Sequence, residues 1–90
     1  MASISYDPAK RAATLLERGL DFADAGVLFQ ERHFTRRADR FDYGEERFIS
    51  IGRLAGNIVV VVWTWRDEAR HIISMRKTHA REQKRYLQHL

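Results

Sequence analysis

The sequence predicts an α+β domain built on an antiparallel sheet of three to four strands, with two helices before the sheet and one after it. Three observations predict this. Residues 57–65, Asn-Ile-Val-Val-Val-Val-Trp-Thr-Trp, are almost purely β-branched or aromatic, a composition that packs well on a pleated surface and poorly in a helix. The run lacks period-2 alternation, so it reads as a central strand covered on both faces. On either side of it, residues 45–53 and 70–76 alternate apolar and polar side chains, and the two ends of the chain show helical spacing instead.

Taken in order, Ile4 to Tyr6 forms a short edge strand, and Asp7-Pro8 starts the first helix with a capping carboxylate and a residue suited to the first helical position. The helical spacing of Ala9, Ala12, Ala13 and Leu16 gives that helix an apolar stripe, and Gly19 ends it in a left-handed conformation. Asp21 opens a second helix, with Asp24 near its positive end and Phe22, Ala25, Leu28 and Phe29 as its buried side. A short strand is expected over residues 33–36, followed by an exposed, charged connection that runs to Tyr43.

In the strand at 45–53, Arg47, Ile49 and Ile51 face one way and Glu46, Phe48 and Ser50 the other. Leu54-Ala55-Gly56 and Arg66-Asp67-Glu68 read as the two hairpin turns flanking the central strand. Strict alternation in the last strand puts His71, Ile73 and Met75 on one face and Ile72, Ser74 and Arg76 on the other. From Thr78, a candidate cap with Glu82 in the first turn, the period becomes helical: Ala80, Gln83, Tyr86, Leu87 and Leu90 share a side, and Arg81, Lys84, Arg85 and Gln88 lie mainly elsewhere.

Ninety residues make a single domain over residues 1–90, one that buries only about 60–65% of its unfolded surface, so modest stability or a partner is expected. The absence of cysteine excludes disulfides and thiolate metal sites and fits a cytoplasmic location. The N-terminus has no signal-peptide pattern and no apolar segment is long enough to span a bilayer, so no membrane association is expected. A formal charge of +4 and a pI near 10 favour an anionic partner, nucleic acid or an acidic protein. His33, His79 and His89 lack ligand spacing, so zinc is not expected, and no other cofactor is called for. There is no Gly-rich phosphate loop and no Gly-x-Ser-x-Gly elbow.

Three blocks, Tyr6-Asp7-Pro8-Ala9-Lys10, Gly44-Glu45-Glu46-Arg47-Phe48-Ile49-Ser50-Ile51-Gly52 and Ile72-Ile73-Ser74-Met75-Arg76-Lys77, together resemble the BrnT family of bacterial type II toxins. The resemblance covers nearly the whole chain. It implies a RelE-like fold, RNA cleavage that arrests translation, and a neutralising BrnA-type antitoxin through which alone operator DNA would be contacted. Two positions depart from the family pattern. Glu17-Arg18-Gly19 stands where the family often has Lys-His-Gly, and His71, preceded by Arg70, stands where it tends to have Arg.

Metal-independent RNA cleavage requires that the 2′-OH lose a proton, that the pentavalent phosphate be stabilised and that the leaving 5′-oxygen be neutralised. Arg76 is the first candidate for the phosphate, with Lys77 beside it, because a guanidinium donates two fixed hydrogen bonds and stays charged. His71 and Glu46 are the proton-transfer candidates, and Arg47, on the same face as Ile49, is a half-buried group able to orient one of them. Arg53, Arg70, Arg81, Lys84 and Arg85 are the expected RNA-binding cations. Each has a plainer reading. Arg76 and Lys77 also read as solvated charges near a helix start, His71 as a packed or edge histidine, and residues 45–47 as pairs across a hairpin. Trp63 and Trp65 suit the core or a partner better than base stacking. The competing function is a non-catalytic basic module that binds nucleic acid or an acidic protein; a purely structural subunit has no support beyond the buried strand.

Overall fold

The computed structural model describes residues 3–38 and 44–90. Its strands are β1 (Ile4–Tyr6), β2 (His33–Arg37), β3 (Phe48–Leu54), β4 (Asn57–Arg66) and β5 (Ala69–Lys77), joined in one sheet in the order β1-β5-β4-β3-β2. The helices are α1 (Pro8–Arg18), α2 (Ala25–Gln30) and α3 (Ala80–Leu87). Part of the connection expected before Tyr43 lies outside the described residues. No helix among the described residues is long and apolar enough to cross a membrane.

The α+β class holds, but the sheet is five-stranded and mixed rather than antiparallel with three to four strands. β2 to β5 pair antiparallel, whereas β1 runs parallel to β5, with Ile4 opposite Arg70 and Tyr6 opposite Ile72. A parallel pair between the two ends of a chain has no hairpin turn to announce it. The second helix is also shorter than expected. Asp21 caps a 3-10 turn at Phe22–Asp24, its carboxylate accepting from the Ala23 N–H, and that turn leads into the six-residue α2.

β4 is central, as its composition requires, and its side chains feed two cores. On one face Val59, Val61 and Trp63 join Leu54, Ile72 and Met75 beneath Leu20, Phe22, Ala25 and Leu28. Gly52 permits that layer to close, since a Cβ there would stand 2.9 Å from Leu28 Cγ. On the other face Ile51, Ile58 and Val60 meet Phe34, Ile49, Tyr86 and Leu90. This second core is smaller, because α3 and the residues after it cover only one end of the sheet.

Local details add to this. The apolar stripe Ala9, Ala12, Ala13 and Leu16 on α1 is left exposed, Leu16 by 88%. Helical spacing places apolar groups on one side without deciding that anything covers them. Polar clamps hold α1 instead, with Arg11 bonded to both Asp21 oxygens at 2.7 and 2.9 Å and Arg18 donating to the Met75 carbonyl at 2.7 Å. The α3 cap is His79, in a reciprocal capping box with Glu82, and not Thr78. Thr78 still belongs to the sheet, since its N–H and hydroxyl both donate to the Ile58 carbonyl. Strict alternation in β5 also fails. Val62 pairs with Ser74 and Trp63 with Ile72, which leaves Ile73 as one extra residue in a bulge. Ile72 and Met75 therefore share the larger core, and His71, Ser74 and Arg76 share the α3 side.

The β4–β5 hairpin turns on Asp67 and Glu68, both with positive φ, at 49° and 66°. A side chain in that left-handed region costs about 1 kcal/mol relative to glycine. Glu68→Gly is expected to raise the thermal midpoint by about 4–8 °C, read by circular dichroism.

Two carboxylates tie helices to their surroundings. The hydrogen bonds from Arg11 hold Asp21 down at about 2, and those from Arg76 do the same for Glu82. Both values lie below the unfolded ones of about 3.9 and 4.3, so the stabilisation is complete above the unfolded values and disappears as pH falls towards 2. The thermal midpoint should accordingly be level near neutrality and drop below about pH 4.5, with a shallower drop in Glu82→Gln.

Candidate active site

The bulge at Ile73 turns His71 towards a cleft between the start of α1 and the open end of the sheet. Asp7, Lys10, Arg47, Arg66, His71 and Ile73 line a cavity of about 240 Å³ there. Parallel pairing sets Ser5 opposite His71, and the Ser5 hydroxyl meets His71 Nδ1 at 2.9 Å. With Nδ1 engaged, Nε2 is the nitrogen left for a substrate.

Cations surround that imidazole. Arg66 and Arg47 both lie near Glu45, at 3.2 and 3.8 Å, so one carboxylate positions two guanidiniums. His71 is shifted below the ordinary histidine value, first by burial and then by the Arg66 charge; Lys10 adds to the shift, while Glu45 and Asp7 oppose it. The imidazole is therefore neutral at neutral pH and able to accept a proton. The arrangement supplies a neutral base beside three cations, a set suited to proton abstraction next to a phosphate. Among the described residues no group of three His, Asp or Glu side chains is placed to hold a metal ion.

The structure brings together only His71 and Arg47 of the residues assigned catalytic roles from sequence. Arg76 shares their sheet face but is engaged in a two-point ion pair with Glu82, at 2.7 and 2.9 Å. Lys77, opposite Val59 in the register, belongs to the other side of the sheet. Glu46 pairs with Arg37, and its carbonyl accepts from the Thr64 hydroxyl at 2.7 Å. Of the expected RNA-binding cations, Arg53, Arg81, Lys84 and Arg85 are exposed. Arg70 is not available in the same way. Its guanidinium lies 4.3 Å from the Phe29 ring centre and 5.2 and 5.4 Å from those of Trp63 and Trp65, on the face away from His71.

Ser5, Lys10, Glu45 and Arg66 carry no catalytic or RNA-binding role in the sequence reading. Lys10 and Glu45 belong to blocks of the family resemblance, and Arg66 opens the hairpin turn after the central strand. Ser5 had no such signal, because its place depends on the parallel β1–β5 pair.

The model of a family described as "Ribonuclease toxin, BrnT, of type II toxin-antitoxin system" matches residues 6–82. The chain belongs to the BrnT family. Among solved structures it is similar to the Brucella abortus ribonuclease toxin BrnT, with 29% sequence identity and a TM-score of 0.62 over 88% of this chain and 99% of that one. No curated protein gives a significant match. The BrnT match extends from Tyr6, beside the Ser5–His71 contact, through Glu82, the partner of Arg76, so it spans the cleft and the sheet that builds it.

Proposed function

We propose that this BrnT-family chain is a metal-independent endoribonuclease whose reaction takes place at His71. The observation that carries the reading is a half-buried, neutral histidine held by Ser5 beside Lys10, Arg47 and Arg66. In this mechanism His71 Nε2 removes the proton from a ribose 2′-OH. The 2′-oxygen attacks the adjacent phosphorus, the bond from phosphorus to the 5′-oxygen breaks, and the products end in a 2′,3′-cyclic phosphate and a 5′-hydroxyl. Arg47 and Arg66 stabilise the charge on the pentavalent phosphate, and Lys10 protonates the leaving oxygen. Arg76 and Glu46, each engaged by an ion pair, hold α3 and β2 in place, and Arg53, Arg81, Lys84 and Arg85 supply diffuse attraction for the RNA backbone.

The biological consequence under this reading is arrest of translation in the cytoplasm, relieved by a BrnA-type antitoxin that carries the operator-binding part of the pair. A basic toxin suits an antitoxin segment that contributes acidic contacts. The testing experiment incubates purified protein with single-stranded RNA in excess chelator and determines product ends. Cyclic phosphate and 5′-hydroxyl ends support the reading; intact RNA, or cleavage that needs an added metal, contradicts it.

A further inference from the structure

We infer that a second cavity, between β2 and α3, is a subsite that stacks a base of single-stranded RNA and holds its phosphate. It is lined by Phe34, Arg36, Arg85, Tyr86 and His89 and has a volume of about 520 Å³, within the range of small-molecule sites. The inference rests on the RNA-cleaving reading of the chain, and extends it to residues outside the His71 cleft.

Three aromatic groups make the floor of this cavity. The rings of Phe34 and Tyr86 have centres 5.4 Å apart at 54°, and those of Phe34 and His89 are 5.5 Å apart at 67°. Non-parallel rings at these distances present faces and edges at different angles to an incoming planar group. Arg36 and Arg85 are exposed at the same cavity. Aromatic faces with flanking guanidiniums are the combination that binds a nucleotide with little regard to base identity, since every base has a π face and every link a phosphate.

The sheet register connects this cavity to the His71 cleft. Phe34 is opposite Ile51 and Arg36 opposite Ile49, and Ile49 is opposite Val62, which is opposite Ser74. Ser74 lies on the His71 side of β5, so both cavities open from one sheet face. Three inter-strand steps from β2 to β5 amount to about 14 Å at the usual strand spacing. A single strand whose scissile phosphate sits at His71 reaches the aromatic cavity a few nucleotides away. Charge favours this occupant: among the described residues, the charged side chains lining the cavity are the arginines Arg36 and Arg85.

The test uses a fluorescein-labelled single-stranded RNA, long enough to span both cavities and 2′-O-methylated so that it cannot be cleaved through its 2′-OH. Fluorescence anisotropy is followed for the wild type, His89→Ala and the double variant Arg36→Ala/Arg85→Ala. All three replaced side chains are exposed, so folding should be retained, as circular dichroism would verify. The double variant is expected to bind about tenfold more weakly, and the dependence of log Kd on log salt to become shallower by about 0.7 for each arginine removed. With cleavable RNA long enough to span both cavities it should raise KM several-fold more than it changes kcat, and that loss should shrink on a dinucleotide too short to reach the second cavity. Binding and salt slope equal to wild type in the double variant overturn the subsite. So does a wild type that ignores the RNA. Retained, arginine-dependent binding without cleavage of unmodified RNA supports the subsite and sinks the RNA-cleaving reading instead.

Discussion

His71→Ala is expected to lower RNA cleavage by about 10²–10⁴-fold, the usual contribution of a positioned general base, with little loss of stability. The small structural cost follows from its surroundings. His71 is half-buried, and among the described residues its ring hydrogen-bonds the Ser5 hydroxyl, which solvent can replace. The pH dependence separates catalysis from folding. Cleavage should rise with pH to a plateau, with its inflection below the ordinary histidine value because burial and Arg66 disfavour the imidazolium. Removing the positive charge in Arg66→Gln should move the His71 titration up, and removing the negative charge in Glu45→Gln should move it down. NMR titration of the imidazole reads both shifts even where cleavage has become slow.

Trp63→Ala should destabilise the fold more than any change in the cleft, by about 3–5 kcal/mol. A domain of this length has a total of roughly 5–14 kcal/mol to lose, so much of the population would unfold on mild warming. Trp63 is 4% exposed, stacks on Phe48 at 4.8 Å and meets Phe29 edge-on at 5.6 Å. Its indole N–H donates to the Ser50 hydroxyl at 2.8 Å, and that hydroxyl also bonds Thr35 at 2.7 Å. Truncation would open a cavity and leave the buried Ser50 hydroxyl without the indole donor in the polar chain that links β2, β3 and β4. Urea denaturation is the check, with Trp63→Phe expected to recover part of the loss because it refills much of the space.

The elements legible in the sequence were those with local causes. The β-branched run gave β4, the two hairpin turns gave its neighbours, and Asp7-Pro8 and Gly19 bounded α1. What depended on distant pairing was not legible. β1 takes its place only through β5, and the Ser5–His71 contact comes with it. The bulge at Ile73 had a further effect, since alternation grouped His71 with Ile73 and Met75 while the extra residue moves it to the side of Ser74 and Arg76. Two catalytic candidates, His71 and Arg47, nevertheless line one cleft, His71 from β5 and Arg47 from the residue before β3. Arg76, the sequence's candidate for the phosphate, is engaged by Glu82 at the start of α3, a contact set by the turn after β5 and not visible in the strand pattern.

The most direct test of the central claim is growth and bulk RNA integrity after induced expression in a bacterial host, comparing wild type, His71→Ala and Arg76→Ala at matched soluble protein levels. Growth arrest and RNA loss are predicted for wild type, largely retained in Arg76→Ala and abolished in His71→Ala. Arrest and RNA loss in His71→Ala equal to wild type would contradict the assignment of the reaction to this cleft.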